Sequence, residues 1–352
     1  NIGSFIVELA AADLNAFADL DYMILGYTTA APQITINTAV IELEQALTAW
    51  TNTLEPIFPN AKAAKENTVC DNIHRTATAL TYPGNIAKPR VIIPVFPGTN
   101  CEYDSQRAFE RAGAAAATVV IKNYDAQSLN DSIHQLAQAI KNSQILMLPG
   151  GFSAGDEPEG SAKFIAALFR NPYLQEATME LLEERQGLIL GICNGFQALI
   201  KLGLLPYGKI MPMRDDSPTL TYNNIGRHIS TMANTKVVSN LSPWLALTEP
   251  GDIHTIAFSH GEGKFVATEQ EIAALFAAGQ VCTQYVDLNA RPTMQSPYNP
   301  NGSLHAIESI CSPDGRIFGK MGHSERYDDR LLQNIQGNKD QQLFVAGVRY
   351  FN

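Results

Sequence analysis

The chain has 352 residues, of which 45% are hydrophobic and 17% charged, with a net charge of −10. That is room for two domains around a sizeable core, and the acidic balance argues against nucleic acid or an anionic membrane as the main partner. Five widely spaced cysteines (Cys70, Cys101, Cys193, Cys282, Cys311) form no CxxC pair, which speaks against a disulfide framework or a zinc site and for a reducing, cytosolic compartment. No run of 18 apolar residues signals a membrane span.

Residues 1–66 read as a unit of their own. Short strands are expected at 4–9, 24–29 and 33–36, and a short helix at 12–20. A longer amphipathic helix is expected over 39–54, where Val40, Leu43, Leu47 and Trp50 recur at helical spacing. This stretch is small for a domain and carries no catalytic constellation. Because the chain also opens on Asn1 rather than Met, it reads as the tail of something larger. Residues 67–88 hold few bulky apolar side chains and read as a linker, or an arm lying on a surface.

From residue 89 the text alternates strands and helices. Apolar runs at 91–95, 117–121, 144–148 and 188–190 are separated by helical stretches at 103–112, 128–141, 161–169 and 172–184. That order predicts an α/β fold with a parallel sheet and helices on both faces, with ligands beyond the carboxyl ends of the strands. After Gly208 the pattern is richer in strands, at 235–238, 255–258, 264–267, 281–286, 306–310 and 316–320. Pro313-Asp314-Gly315 turns the last hairpin, and 272–276 is a short helix.

The chemistry centres on Gly191-Ile192-Cys193-Asn194-Gly195. A strand, a sharp turn and a helix fit this text, and small residues two positions either side of Cys193 are what a nucleophile elbow needs. A helix N-terminus there favours thiolate over thiol. A nucleophilic cysteine needs a base, and the base an orienting group. His323-Ser324-Glu325, 130 positions downstream, offers both, since alternate residues of an extended segment share a side. The same residues also read as an ordinary solvated loop. Gly150-Gly151-Phe152-Ser153 follows a strand and reads either as a turn or as an oxyanion hole, with the Asn194 N–H as a second donor. His260, in Ser259-His260-Gly261-Glu262-Gly263, precedes a glycine turn that suits a pocket wall better than a base. Residues 223–227 and 298–303 read as surface loops, or as pocket wall and lid respectively.

The elbow cysteine, the Gly-Gly-Phe loop and the late His-x-Glu together resemble a class I glutamine amidotransferase domain, with a flavodoxin-like fold. Five motifs narrow the resemblance to the glutaminase domain of phosphoribosylformylglycinamidine synthases, over about residues 88–352. They are PVFPGTNCE (94–102), PGGFSAGD (149–156), GICNGFQ (191–197), SHGEG (259–263) and NPNGS (299–303). The resemblance implies Cys193 as nucleophile, His323 as base, Glu325 as its orienter, and Gly151 and Asn194 as oxyanion donors. It implies Phe152, Gln197, Asn223, Arg227 and His260 as the wall around L-glutamine. Residues 1–66 resemble the end of the synthetase portion of single-chain members. ATP and magnesium are expected in that portion, with no cofactor or metal in this chain, and the glutaminase is expected to be tuned by the synthetase. One departure stands out: many members read Pro-His-Pro-Glu-Arg where this chain has Gly322-His323-Ser324-Glu325-Arg326, which softens the loop. The rival readings are another elbow-cysteine hydrolase of the flavodoxin-like superfamily, and a non-catalytic interaction module with an inert Cys193.

Overall fold

A computed structural model describes residues 3–57, 69–76, 80–155 and 160–352. The chain divides into two compact units, Asn1–Asn60 and Ala61–Asn352. In the first, a hairpin of β1 (Gln33–Ile36) and β2 (Ala39–Glu42) leads into helix α1 (Leu43–Thr51), after a 3-10 turn at Ala11–Phe17. The helix expected over 39–54 is therefore shorter. Asn37 has φ +55° and turns the chain, so Val40 pairs with Thr35 instead of starting the helix. The apolar runs at 4–9 and 24–29 form no strands; an apolar run becomes a strand only where a partner completes its ladder. No described residue of 3–57 is buried.

The second unit is built on one nine-stranded sheet. In chain order its elements begin with β3 (Arg90–Val95), α2 (Glu102–Arg111), β4 (Ala115–Val120), α3 (Ala126–Lys141) and β5 (Ile145–Leu148). They continue with α4 (Lys163–Phe169), α5 (Pro172–Glu183), β6 (Leu188–Ile192), α6 (Asn194–Leu202) and α7 (Leu204–Tyr207). Then come β7 (Thr219–Thr221), β8 (Ile229–Val237), β9 (Ile253–His260), β10 (Lys264–Val266) and α8 (Glu269–Ala277). The chain closes with β11 (Val281–Tyr285), β12 (Ile307–Cys311), β13 (Ile317–Lys320) and α9 (Leu343–Arg349). The sheet order is β4-β3-β5-β6-β13-β12-β11-β8-β9, and β7 pairs with β10 outside it. The first five strands run parallel and the rest antiparallel. The α/β fold stands, with the sheet mixed rather than wholly parallel.

Strands β5, β6, β12 and β13 are buried at every position, as expected of strands covered on both faces. Helices α3 to α6 pack together on one side, and α2 meets α9 on the other. There the Phe109 ring lies edge-on to Phe344 at 4.9 Å and to Trp244 at 6.2 Å.

The described parts of 67–88 lie as an arm along the second unit. His74 N–H donates to Val238 O at 2.8 Å, Gln284 Nε2 to Cys70 O at 2.8 Å, and Ile86 N–H to Phe351 O at 2.7 Å. Phe351, fully buried, packs its ring 5.1 Å from Tyr82 and 4.8 Å from Tyr350. Phe351→Ala is expected to destabilise this unit by about 3 kcal/mol through the cavity it leaves, measured by urea unfolding.

Candidate active site

Strands β3, β5, β6 and β13 run parallel, so their carboxyl ends converge on one edge of the sheet. There the loop after β3 and the loop after β5 are zipped together. Phe152 N–H donates to Gly98 O at 2.9 Å, Ala154 N–H to Pro97 O at 2.7 Å and Asn100 N–H to Gly150 O at 3.3 Å. Asp156, the last residue of the second motif, lies outside the described residues.

Cys193 stands at the carboxyl end of β6 with φ +53° and ψ −107°, outside the regions a non-glycine residue ordinarily occupies. Two close packings hold it there. A Cβ on Gly195 would fall 1.9 Å from Leu148 O, and one on Gly191 would fall 2.8 Å from the backbone of Gly195. The glycines are therefore required by contact with backbone, which cannot move aside as a side chain can. The Cys193 N–H donates to Lys320 O at 2.8 Å, and its Sγ lies 3.7 Å from Ser259 O.

His323 and Glu325 follow β13 and are both buried. His323 Nδ1 and Glu325 Oε1 are 2.6 Å apart. His323 Nε2 is buried without a hydrogen-bond partner among the described residues. A Cβ on Gly150 would fall 2.9 Å from His323 Cε1, 3.1 Å from Cys101 Sγ and 3.5 Å from Cys193 Cβ. His323, Cys193 and Cys101 thus border one small space that this glycine leaves open. Burial opposes the imidazolium of His323, but Glu325, Cys193 and Cys101 outweigh it and hold its pKa well above 6.5. Burial likewise opposes the Glu325 carboxylate, and His323 outweighs it and lowers that pKa.

The predicted oxyanion donors lie beside the elbow. Gly151 has φ +147° and sits where a Cβ would fall 2.7 Å from Gly98 O. Asn194 opens α6 and is buried, and its Oδ1 accepts from Ser153 N–H at 3.4 Å. Of the predicted wall, Phe152 is half exposed with its ring 6.2 Å from His228, and Arg227 is partly buried. Gln197, Asn223 and His260 are buried and bonded inward. Gln197 Nε2 donates to Glu262 O at 2.5 Å, and Asn223 Nδ2 donates to His260 O at 2.8 Å. Asn299, Asn301 and Ser303 are buried too, and Asn301 Nδ2 donates to Gly263 O at 2.8 Å. They brace the 259–263 turn from below, where the sequence also allowed a lid.

Five contributors were not picked out from the sequence: Arg326, Cys101, His228, Glu308 and Lys320. Arg326 Nη2 lies 3.6 Å from Cys101 Sγ, which in turn lies 3.9 Å from His323 Nδ1. His228 Nε2 meets Ser259 Oγ at 3.1 Å at the mouth. A lone charge inside an apolar strand marks Glu308 in β12 and Lys320 in β13, and that signal was legible. Cys101, His323 and Glu325 bring three ligand-type atoms within 4.8 Å of one another. With Nδ1 already held by the carboxylate and a guanidinium beside the sulfur, these residues fit an imidazole–carboxylate pair better than a cation site.

Three buried histidines are set apart by their surroundings. Burial pushes His260 down to about 3 and His254 down to about 4, while His323 is raised. At about pH 7, histidine NMR is expected to show His323 as imidazolium and the other two neutral. His254 and His260 have folded pKa values below their unfolded ones. The stability they contribute is therefore complete above about pH 6.5 and falls on acidification toward pH 3, by up to about 1.4 kcal/mol per pH unit for each group. Gly195→Ala is expected to destabilise by at least about 2 to 3 kcal/mol, read by urea unfolding.

Residues 88–351 match the CobB/CobQ-like glutamine amidotransferase domain. The phosphoribosylformylglycinamidine synthase subunit PurQ of Treponema denticola is 35% identical over 284 residues, covering 75% of this chain and 99% of the relative. That of Sulfurimonas denitrificans is 32% identical over 256 residues, covering 73% and 99%. Among solved structures, PurLQS from Thermotoga maritima superposes with a TM-score of 0.54 at 26% identity, over 75% of this chain and 100% of that one. The chain belongs to the CobB/CobQ-like glutamine amidotransferases, in the branch formed by the glutaminase parts of phosphoribosylformylglycinamidine synthases.

Proposed function

We propose that Cys193, His323 and Glu325 are the glutaminase triad of this chain. Cys193 Sγ attacks the side-chain amide carbon of L-glutamine. Gly151 and Asn194 N–H groups stabilise the oxyanion. His323 Nε2 gives its proton to the departing nitrogen, which leaves as ammonia. A water then adds to the γ-glutamyl thioester with His323 Nε2 taking its proton, and collapse of the adduct releases glutamate and restores the Cys193 thiolate beside the His323 imidazolium. Glu325 accepts the Nδ1–H throughout, fixing the tautomer and stabilising the imidazolium. The observation that carries this reading is the 2.6 Å Nδ1–Oε1 contact, which leaves Nε2 to face the elbow space at Gly150. Phe152 and Arg227 are the wall residues best placed to meet glutamine directly, and Gln197, Asn223 and His260 act by fixing the wall.

The ammonia serves the ATP-dependent conversion of formylglycinamide ribonucleotide to its amidine, with ATP and magnesium held by a synthetase part. The likeness to the solved structure of PurLQS from Thermotoga maritima supports such a partner. In this chain we read residues 1–66 as the end of that part, on the same polypeptide and joined by 67–88. Large hydrophobic side chains such as Phe5, Ile6 and Trp50 are more than four-fifths exposed in the first unit, which fits a piece whose core is completed by chain outside this sequence. No helix among the described residues is long and apolar enough to cross a membrane, and five free cysteines fit the cytosol.

In the complete enzyme, Cys193→Ala is expected to abolish glutamine-dependent amidine formation while added ammonia still supports it. His323→Asn is expected to lower glutamine-dependent kcat by about 10³-fold or more, and Glu325→Gln by about 10²-fold or more. Loss of the ammonia-dependent reaction as well would point to a role for Cys193 outside glutamine hydrolysis.

A further inference from the structure

Gly322 and Ser324 flank His323, at the two positions where the family resemblance drawn from the sequence implies proline. The structure shows what restrains the chain instead. Gly322 N–H donates to Glu308 Oε1 at 2.8 Å. A Cβ on Gly322 would fall 2.7 Å from Ile256 Cγ2 and 2.9 Å from Phe258 Cζ. Proline at 322 would have neither the N–H that Glu308 takes nor the room for its ring. At the other position the Ser324 hydroxyl sits between two buried groups. Lys320 Nζ donates to it at 2.7 Å, and it donates to Gln341 Oε1 at 2.8 Å. Lys320 Nζ also donates to Gln341 Oε1 at 2.6 Å and lies 3.9 Å from Glu308 Oε1.

Lys320 and Glu308 are almost wholly buried, at 0% and 1% exposure. An ion pair at such depth contributes little net stability compared with apolar side chains of the same size. It does confer direction, because each polar atom fixes its neighbour's position. Lys320 is also the residue whose carbonyl receives the Cys193 N–H at 2.8 Å. One residue therefore holds the nucleophile through its backbone and the residue between base and orienter through its side chain.

We propose that Lys320 is a positioning residue of the triad, anchoring with Glu308, Ser324 and Gln341 a buried polar brace that replaces the stiffness of the missing prolines. The inference rests on the Cys193–His323–Glu325 reading of the site. The brace residues bond to one another and to the triad segment, so the brace acts on kcat through the placement of His323 and Glu325. It also ties the triad to the segment that leads into α9, where Gln341 stands.

The test uses the full enzyme with Lys320→Met, Ser324→Ala, Ser324→Pro and the double variant Lys320→Met/Ser324→Pro. Ser324 is the first residue of a 3-10 turn, a position that accepts proline, at the cost of the 3.2 Å hydrogen bond from its N–H to Gly322 O, which Ser324→Ala keeps. Lys320→Met is expected to lower glutamine-dependent kcat on the order of 10²-fold, with KM for glutamine within about twofold. The double variant is expected to regain about tenfold of that loss, because the ring restores by covalent restraint what the ammonium supplied. Ser324→Pro is expected to be more active than Ser324→Ala, a comparison that stands even if Lys320→Met does not fold. Wild-type kcat in Lys320→Met, a double variant no better than Lys320→Met, or Ser324→Ala at least as active as Ser324→Pro would overturn the brace. A Cys193→Ser control that kept glutaminase activity would overturn the triad itself, a separate outcome.

Discussion

The hydrogen bond from the Cys193 N–H to Lys320 O is the joint on which the site depends. It continues the parallel pairing of β6 with β13, in which Lys320 lies opposite Ile192. Because of that register, the elbow after β6 and the loop after β13 leave the sheet side by side. Cys193 enters a strained conformation at one strand end, while the next strand delivers His323 three residues past its own end. A register shift of one residue would turn the alternate residues to the opposite face and separate sulfur from imidazole. Gly191 and Gly195 guard the same joint, since any side chain there collides with backbone.

Around this joint the electrostatics are layered. The innermost pair, His323 and Glu325, favours the charged forms of both partners despite burial. Next to it, Arg326 sits beside Cys101 and adds positive potential near both sulfurs. Lys320 and Glu308 lie one step further out and are held by neutral hydroxyl and amide groups. His254 and His260 are pushed down by burial and stay neutral, and His260 Nδ1 meets Asn223 Oδ1 at 3.1 Å. A single buried region thus keeps one histidine charged and two uncharged, through the presence or absence of a carboxylate partner.

Much of this was legible in the text. The β3–β6 half announces itself through continuous apolar runs and regular helical spacing, and the Gly-x-Cys-x-Gly elbow through residue size alone. Two classes of feature were not legible. In the first unit, strand-like runs at 4–9 and 24–29 lack a ladder, and Val40 matches a helical period while pairing in a hairpin; local pattern cannot report the partner. In the site, Cys101 reaches Arg326 across 225 positions of sequence, and Gln341 meets Lys320 from beyond the triad loop. Such contacts follow from the sheet order, which reverses direction at β12 and brings the chain's end back beneath its middle. The proline losses at 322 and 324 were visible as a departure, but what replaces them required the side-chain positions.

In the proposed reaction Cys193, and not its neighbour Cys101, is the thiol that opens glutamine. Both border the space at Gly150 and both lie close to His323. The most direct measurement is an acid quench of the complete enzyme during turnover of isotopically labelled glutamine, followed by peptide mapping. A γ-glutamyl thioester is expected on the peptide carrying Cys193 and none on the peptide carrying Cys101. A thioester on Cys101, or turnover with the label on neither peptide under conditions that preserve thioesters, would contradict the proposed reaction.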